Sequence, residues 1–288
     1  MSKRRDALRT ALRLPPGVVN LAGYDPAATP TPADKIKPRK GRARKALAKS
    51  TGPALASLQE RLYAEAAAGG GRRLLLVLQG MDTSGKGGVI DHVVGQLGPS
   101  GTSVATFKKP TSEELAHHFL WRVRRRLPAA GQVGVFDRSH YEDVIVVKVH
   151  HLIDDAEVAH RYEEINRFEA DLAQAGTTVV KCFLHISYAT QRERLLARLD
   201  DPAKHWKFRE TDIDERQLWS EYQAAYAAAL EHTSTDAAPW YVIPSDHKWY
   251  RNWAISELLR EVLVEMDPQY PDVQLDVRAL KKRLAPPH

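Results

Sequence analysis

Cysteine is almost missing from this 288-residue chain: Cys182 stands alone. One cysteine excludes an internal disulfide and any cysteine-based metal cluster. Its place in an apolar, strand-like run marks it as a buried thiol rather than a nucleophile. Long apolar runs are absent too. No uninterrupted stretch reaches the roughly 18 residues that a spanning helix needs. The opening Met1-Ser2-Lys3-Arg4-Arg5-Asp6 leads into no apolar segment of signal-peptide length. A cytoplasmic protein with no membrane partner is the default expectation. The histidine pairs His117-His118 and His150-His151 lack the spacing of a His-Glu-x-x-His metal site and read as surface or packing residues. No nucleophile elbow, Ser-His-Asp arrangement or internal repeat is visible.

What is present begins with bulk properties. At 43% hydrophobic the chain can bury a real core, and it is no disordered polymer. The net charge of +6 and pI near 9.3 suit an anionic partner. Charge alone does not choose between nucleic acid, anionic lipid and phosphate substrates.

The most specific feature is the run from Leu74 to Gly88. An apolar strand opens into a glycine-rich turn, and Lys86 sits where a helix begins. Gly80-x4-Gly85-Lys86 is the spacing of a phosphate-cradling loop. Glycines let backbone N–H groups point inward at phosphate oxygens, and the helix N-terminus adds positive potential. Ordinarily Ser or Thr follows the lysine and holds Mg²⁺, but here Gly87 takes that place. Asp82, inside the loop, is the substitute, because a carboxylate is a good hard ligand for Mg²⁺.

Around this loop the chain divides. Residues 1–52 form a basic, Pro-rich N-terminal extension with Pro15-Pro16, Pro26, Pro30, Pro32 and Pro38, and with Lys35, Lys37, Arg39, Lys40, Arg42, Arg44, Lys45 and Lys49. It reads as an extended arm that lies on the domain or reaches a neighbour, either a solvated tail or an anion-binding one. Residues 53–288 form the main domain. Leu55, Leu58 and Leu62 give helical spacing up to Gly69-Gly70-Gly71. Strands are expected at 73–79, 103–107, 133–136, 177–186 and 241–243. Helices are expected at 86–97, 111–126 (opened by a Thr111/Glu114 capping box), 156–175, 188–199, 214–231 and 248–266. Such alternation implies an α/β fold with a parallel central sheet and helices on both faces. Ligands then bind beyond the C-terminal strand ends.

Three further stretches carry candidate chemistry. Phe136-Asp137-Arg138-Ser139-His140-Tyr141-Glu142 follows a short apolar strand, as an acidic Mg²⁺-binding segment does in nucleotide-binding folds. Arg138 offers a fork of donors to phosphate; the competing reading is a structural Asp–Arg salt bridge. The polar stretch of about 200–215, with Lys204, Trp206, Lys207 and Arg209 after Arg198, looks like a lid that closes over phosphates. Its competing reading is ordinary solvated charge, which Trp206 argues against. Finally, Asp246 opens the last helix as a cap, while Lys248 and Arg251 add positive charge at the strand-end rim.

Taken together these motifs resemble the second family of polyphosphate kinases. The resemblance rests on Gly80-Met81-Asp82-Thr83-Ser84-Gly85-Lys86-Gly87, Phe136-Asp137-Arg138-Ser139-x-Tyr141-Glu142, the Trp206-Lys207 lid, and Pro239-Trp240-Tyr241 leading to Asp246-His247-Lys248-Trp249. It runs from about Leu12 to Pro271. It implies a P-loop kinase-like three-layer fold with a helical lid. It also implies reversible, Mg²⁺-dependent phosphoryl transfer between inorganic polyphosphate and purine nucleotides (AMP, ADP, ATP), with Mn²⁺ as a substitute ion. Asp82 and Asp137 match the family's metal-binding carboxylates, and Lys86 and Arg138 its phosphate-gripping cations. Gly80, Gly85, Gly87, Glu142, Arg198, Lys204, Trp206, Lys207, Arg209, Lys248 and Arg251 are the expected substrate-binding set. An acidic residue at Glu142 goes, in that family, with acceptance of AMP as well as, or instead of, ADP. A homo-oligomer, dimer or tetramer, is implied as well. Two rivals stand beside this reading: a conventional ATP-dependent nucleotide kinase, and a basic nucleic-acid-binding protein with a degenerate loop. Against the second, no nucleic-acid module appears.

Overall fold

A computed structural model describes residues 8–31 and 39–284. Five strands, β1 (Arg73–Gln79), β2 (Thr102–Thr106), β3 (Val133–Asp137), β4 (Thr177–His185) and β5 (Trp240–Pro244), form one sheet in the order β2-β3-β1-β4-β5, every pairing parallel. The helices are α1 (Leu8–Leu12), α2 (Lys40–Ala46), α3 (Gly52–Ala67), α4 (Lys86–His92), α5 (Ser112–Leu115), α6 (Trp121–Arg124), α7 (Glu142–Val149), α8 (Asp155–Gln174), α9 (Tyr188–Leu199), α10 (Thr211–Gln217), α11 (Trp219–Thr233), α12 (Lys248–Met266) and α13 (Val277–Arg283).

The sheet is parallel because its central strands are apolar on both faces. In β1, Leu74, Leu76 and Leu78 pack on one side with α1, α3, α4 and α12, while Leu75 and Val77 pack on the other with α7, α8 and α11. The alternation follows from the two-residue period of a strand. Two hydrophobic cores, one per face, make the three-layer architecture expected from the sequence.

Several expectations are corrected. The helix foreseen over 111–126 is broken into α5 and α6, although the Thr111/Glu114 capping box is present. The break lies at His118, whose Nδ1 accepts from Leu120 N (3.3 Å) while its Nε2 meets Glu164 (3.1 Å). Side-chain bonds of this kind compete with the helical ladder. The helix foreseen over 86–97 ends at His92 and continues only as a single 3₁₀ turn, Val94–Gln96. That foreseen over 214–231 is two helices, meeting at the non-helical Leu218. Helix α7 had no counterpart in the sequence reading. Its Val144, Ile145, Val146, Val147 and Val149 are strand formers by propensity, and burial against α11 and α8 overrides that preference.

Where it is described, the N-terminal segment lies on the domain rather than standing off as a solvated tail. Leu14 N donates to Trp240 O (2.9 Å) and Arg13 bridges Tyr241, so the chain covers the outer edge of β5. Leu14, Val19 and Leu21 are core residues. Residues 40–67 are helical throughout, through a five-residue π turn at Leu47–Thr51, so a boundary at 52 falls inside a helix. Pro32, Lys35, Lys37 and Pro38 lie outside the described residues. Among the described residues no helix is long and apolar enough to cross a membrane.

Candidate active site

The chain leaves β1 toward β2 on one side of the sheet and leaves β3 toward β4 on the other. These neighbouring strands therefore send their loops apart, which opens a crevice beyond their C-terminal ends. Leu78 pairs with Asp137 across the β1–β3 ladder, and Arg138 N donates to Leu78 O at 3.1 Å. The glycine loop and the Asp137-Arg138 pair thus face each other at the crevice.

The loop's shape depends on two glycines. Gly80 has φ +147° and a side chain there would meet Leu184 O at 2.7 Å. Gly85 has φ +108° and a Cβ would lie 1.7 Å from Arg251 Nη1. Both positions also need a backbone conformation that L-residues rarely adopt. Lys86 is buried and turned back into the loop, where its Nζ donates to Gly80 O (2.6 Å) and Met81 O (3.4 Å). Burial pushes its ammonium below the usual lysine range and Arg138 adds repulsion, which the carboxylates of Asp82, Asp137 and Glu142 oppose.

Around that ammonium three acids and one guanidinium gather. Arg138 Nη2 donates to Asp82 Oδ1 (2.9 Å), and Arg138 Nη1 approaches Glu142 Oε2 at 4.0 Å. Burial works against the charge of Asp82, but Lys86 and Arg138 outweigh it, and the carboxyl stays below its ordinary value. For Glu142 burial wins over the same two cations, and its carboxyl is raised. Arg138 holds φ +64° and Thr83 φ +63°, a conformation costing about 1–2 kcal/mol for a residue with a Cβ. Strain of this kind persists where the surroundings over-determine it, often at functional sites.

Asp137 Oδ1 is buried and has no hydrogen-bond partner. A buried carboxylate oxygen left unpaired is costly. Together with Asp82, it suits a hard divalent cation. Among the described residues no group of three or more His, Cys, Asp or Glu side chains converges as a metal cage.

The loop is braced from behind by side chains of α9 and α12. Arg194 of α9 donates to Thr83 O (2.8 Å), Ser84 O (3.1 Å), Ser245 O (2.5 Å) and Asp246 O (3.0 Å). Gln191 donates to Asp82 O (3.3 Å). Arg251, expected among the substrate-binding set, is buried beneath the loop and donates to Ser84 O (3.1 Å), so it supports the cradle rather than lining the crevice. Asp246 is not the cap of α12: that position is His247, and the Asp246 carboxylate accepts from Ser187 N (2.9 Å). A group that the sequence reading missed lies under the β3–α7 turn. Lys181, fully buried, donates to Glu169 (2.6 Å), Thr233 O (2.7 Å) and Tyr141 Oη (2.8 Å), while Glu169 also takes a bond from Tyr141 (2.9 Å) and faces His140 (3.2 Å). No short-range pattern announces partners this far apart in sequence.

The remaining expected residues lie outward. Gly87 opens α4 with free space where a side chain would stand. Arg198 pairs with Asp212 at 3.5 Å and donates to Lys207 O (3.3 Å), joining α9 to the 200–215 stretch. Asp212, which the sequence reading passed over, is raised by burial and by the nearby Asp82. Lys204 pairs with Asp201, and Lys207 lies 4.9 Å from the Trp206 ring. Trp206, expected to cover something, is 78% exposed. Arg209 and Lys248 are exposed as well. Lys248, although exposed overall, is lowered by partial burial, with Arg194, Arg251 and Lys204 adding repulsion.

Comparison with known proteins bears on this geometry. The family profile of Polyphosphate kinase 2 matches residues 38–271. The chain is 51% identical over 217 residues to the AMP/ADP-polyphosphate phosphotransferase of Meiothermus ruber, covering 75% of this chain and 80% of that one. It is 41% identical over 230 residues to the ADP-polyphosphate phosphotransferase of Rhodopseudomonas palustris, covering 76% and 78%. The crystal structure of polyphosphate kinase 2 from Arthrobacter aurescens TC1 superposes with a TM-score of 0.92 at 46% identity, over 97% of each chain.

Proposed function

The chain belongs to the polyphosphate kinase 2 family, and we propose that it passes a phosphoryl group reversibly between inorganic polyphosphate and AMP or ADP, giving ADP and ATP. It is a transferase of phosphorus-containing groups, and a divalent metal goes with that family. Mg²⁺ is the ion proposed here, with Mn²⁺ as a substitute.

Phosphoryl transfer asks little covalent work of the protein; it asks for alignment, positive charge on the transferring group and exclusion of water. Asp82 and Asp137 would hold the metal, which supplies charge neutralisation on the phosphate oxygens when bound. Lys86, once phosphates occupy the loop, exchanges the carbonyls of Gly80 and Met81 for phosphate oxygens. Arg138, fixed by Asp82 and Glu142, presents its fork toward the same crevice. The acceptor is itself a phosphate, already ionised at neutral pH, so no strong general base is required. Glu142, whose carboxyl is raised by burial, is the acidic residue that favours AMP as an acceptor beside ADP. The stretch 200–215 serves as the lid, tied through Arg198 and Asp212 to the crevice. Lys207→Ala should raise the apparent Michaelis constant for polyphosphate severalfold with little change in kcat; an unchanged constant removes Lys207 from that role.

One observation carries the reading: the Leu78–Asp137 pairing sets two carboxylates, Lys86 and Arg138 around a single crevice, with one Asp137 oxygen unpaired. The test is a coupled assay with polyphosphate, Mg²⁺ and AMP or ADP, and no added nucleoside triphosphate. Formation of ADP or ATP supports the proposal. Turnover that appears only when ATP is supplied as donor would establish the conventional kinase instead.

A further inference from the structure

The basic stretch ahead of α3 is not absorbed by the site just described. Lys40, Arg42, Arg44, Lys45 and Lys49 are exposed on one helical run that Arg39 precedes, and it is Ala43 and Ala46 of α2 that face the core. From Arg39 to Gln59 the chain contains no acidic residue, so the usual i,i+4 neutralisation of a basic helix is missing.

The direction of this run is fixed by its contacts with α12. Arg72, just past α3, donates to Met266 O at the end of α12. Thr51 donates to Glu257 in its middle (2.5 Å). Tyr250, in its first turn, donates to Pro30 O (2.7 Å), on the segment that leads toward α2. The two helical runs therefore lie side by side and point the same way. Lys40 precedes Thr51 by eleven residues, about 16 Å of helix. Lys248 precedes Glu257 by nine. The basic end of α2 accordingly stands level with the first turn of α12, whose Arg251 braces the phosphate loop at Ser84. A stripe of cations climbs the outside of the molecule from mid-height to the rim of the crevice.

We infer that this stripe is a docking track for the part of a long polyphosphate chain that projects beyond the active site; the inference rests on the polyphosphate reading above. A chain with a charge on every phosphate is matched by a row of exposed cations on a helical run that carries no acid of its own. On this proposal tripolyphosphate, with three phosphates, stays within the crevice. A chain of a hundred phosphates reaches α2 easily. The track therefore acts on substrate capture, not on the transfer itself.

The test replaces Lys40, Arg42, Arg44 and Lys45 together by Gln in the full chain, with an Arg42→Lys/Arg44→Lys variant as the charge-retaining control. Michaelis constants are measured for tripolyphosphate and for long-chain polyphosphate over a series of salt concentrations. The expected result is a roughly tenfold rise in KM for the long chain, a shallower dependence of log KM on log salt, and unchanged kcat. The tripolyphosphate constants should not move, and the Lys control should match the wild type. Equal constants for the long chain in the quadruple variant and the wild type would overturn the track. So would a matching rise for tripolyphosphate, or tighter binding of an RNA oligonucleotide or an anionic vesicle than of polyphosphate at the same sites. Wild-type protein that turns over neither polyphosphate would fail the proposed function itself, an outcome distinct from an active enzyme with an indifferent variant.

Discussion

Glu142 is held where its charge is disfavoured. Its neighbours Arg138 and Lys86 attract it, yet burial raises its carboxyl above the unfolded value. The sign follows directly. An acid with a raised folded-state pKa destabilises nothing below its unfolded pKa of about 4.3, and its penalty grows as pH rises through the folded value. Glu142→Gln should therefore melt a few degrees above the wild type at pH 8, with the gap shrinking toward pH 5. Thermal melts at the two pH values check it, and a variant less stable at pH 8 than at pH 5 relative to wild type contradicts it. Such a residue is retained at a cost in stability, the pattern expected where a side chain serves the substrate. Glu142 and Asp137 were both visible in the sequence as residue types at a strand end. That one Asp137 oxygen is buried without a partner was not, because it depends on what packs above it.

At the level of elements, the turn joining β3 to α7 rests on a buried charge network. Lys181 reaches from β4 to Glu169 of α8, to Tyr141 and to the end of α11. Removing one partner of a buried pair leaves the other uncompensated. Lys181→Met should cost about 3–5 kcal/mol. Lys181→Met/Glu169→Leu should cost less than the sum of its parts, as denaturant titration would show. Additive losses would mean that the two charges act independently. The phosphate loop offers a second test. Gly87 has open space where other loops of this kind carry a hydroxyl. Gly87→Ser should fold normally. In an Asp82→Ala background it should restore part of the lost turnover, because the serine supplies the metal ligand that Asp82 replaces. No recovery would show that Asp82 does something a hydroxyl cannot. The loop and α12 could be read from sequence since their signals are local: glycines at fixed spacing, then a helix from Lys248 to Met266 as found. Helix α7, the break at His118 and the brace of Arg194 could not, because each is set by residues tens of positions away.

On the scale of the whole molecule, one sheet with a core on each face puts the glycine loop and the Asp137-Arg138 pair at one rim. The strand-helix alternation was enough to foresee the parallel sheet, and the loop motif enough to foresee which strand ends matter. The path of the N-terminal segment was not foreseeable. Its prolines and cations suggested an arm on the domain or reaching a neighbour, but not which residues hold it: Leu8, Leu12, Leu14, Val19 and Leu21, spread without a single period, seat it in the two cores. The same rim gathers Lys86 and Arg138 against Asp82, Asp137 and Glu142.

The most direct measurement is polyphosphate-driven phosphorylation of ADP across a Mg²⁺ titration, made side by side on the wild type, Asp82→Ala and Asp137→Ala, with melting temperatures recorded for each. A saturable Mg²⁺ requirement in the wild type, and variants that keep their melting temperature while losing about a hundredfold or more in rate, are the predicted result. Near-normal turnover in a folded Asp137→Ala enzyme would contradict the account.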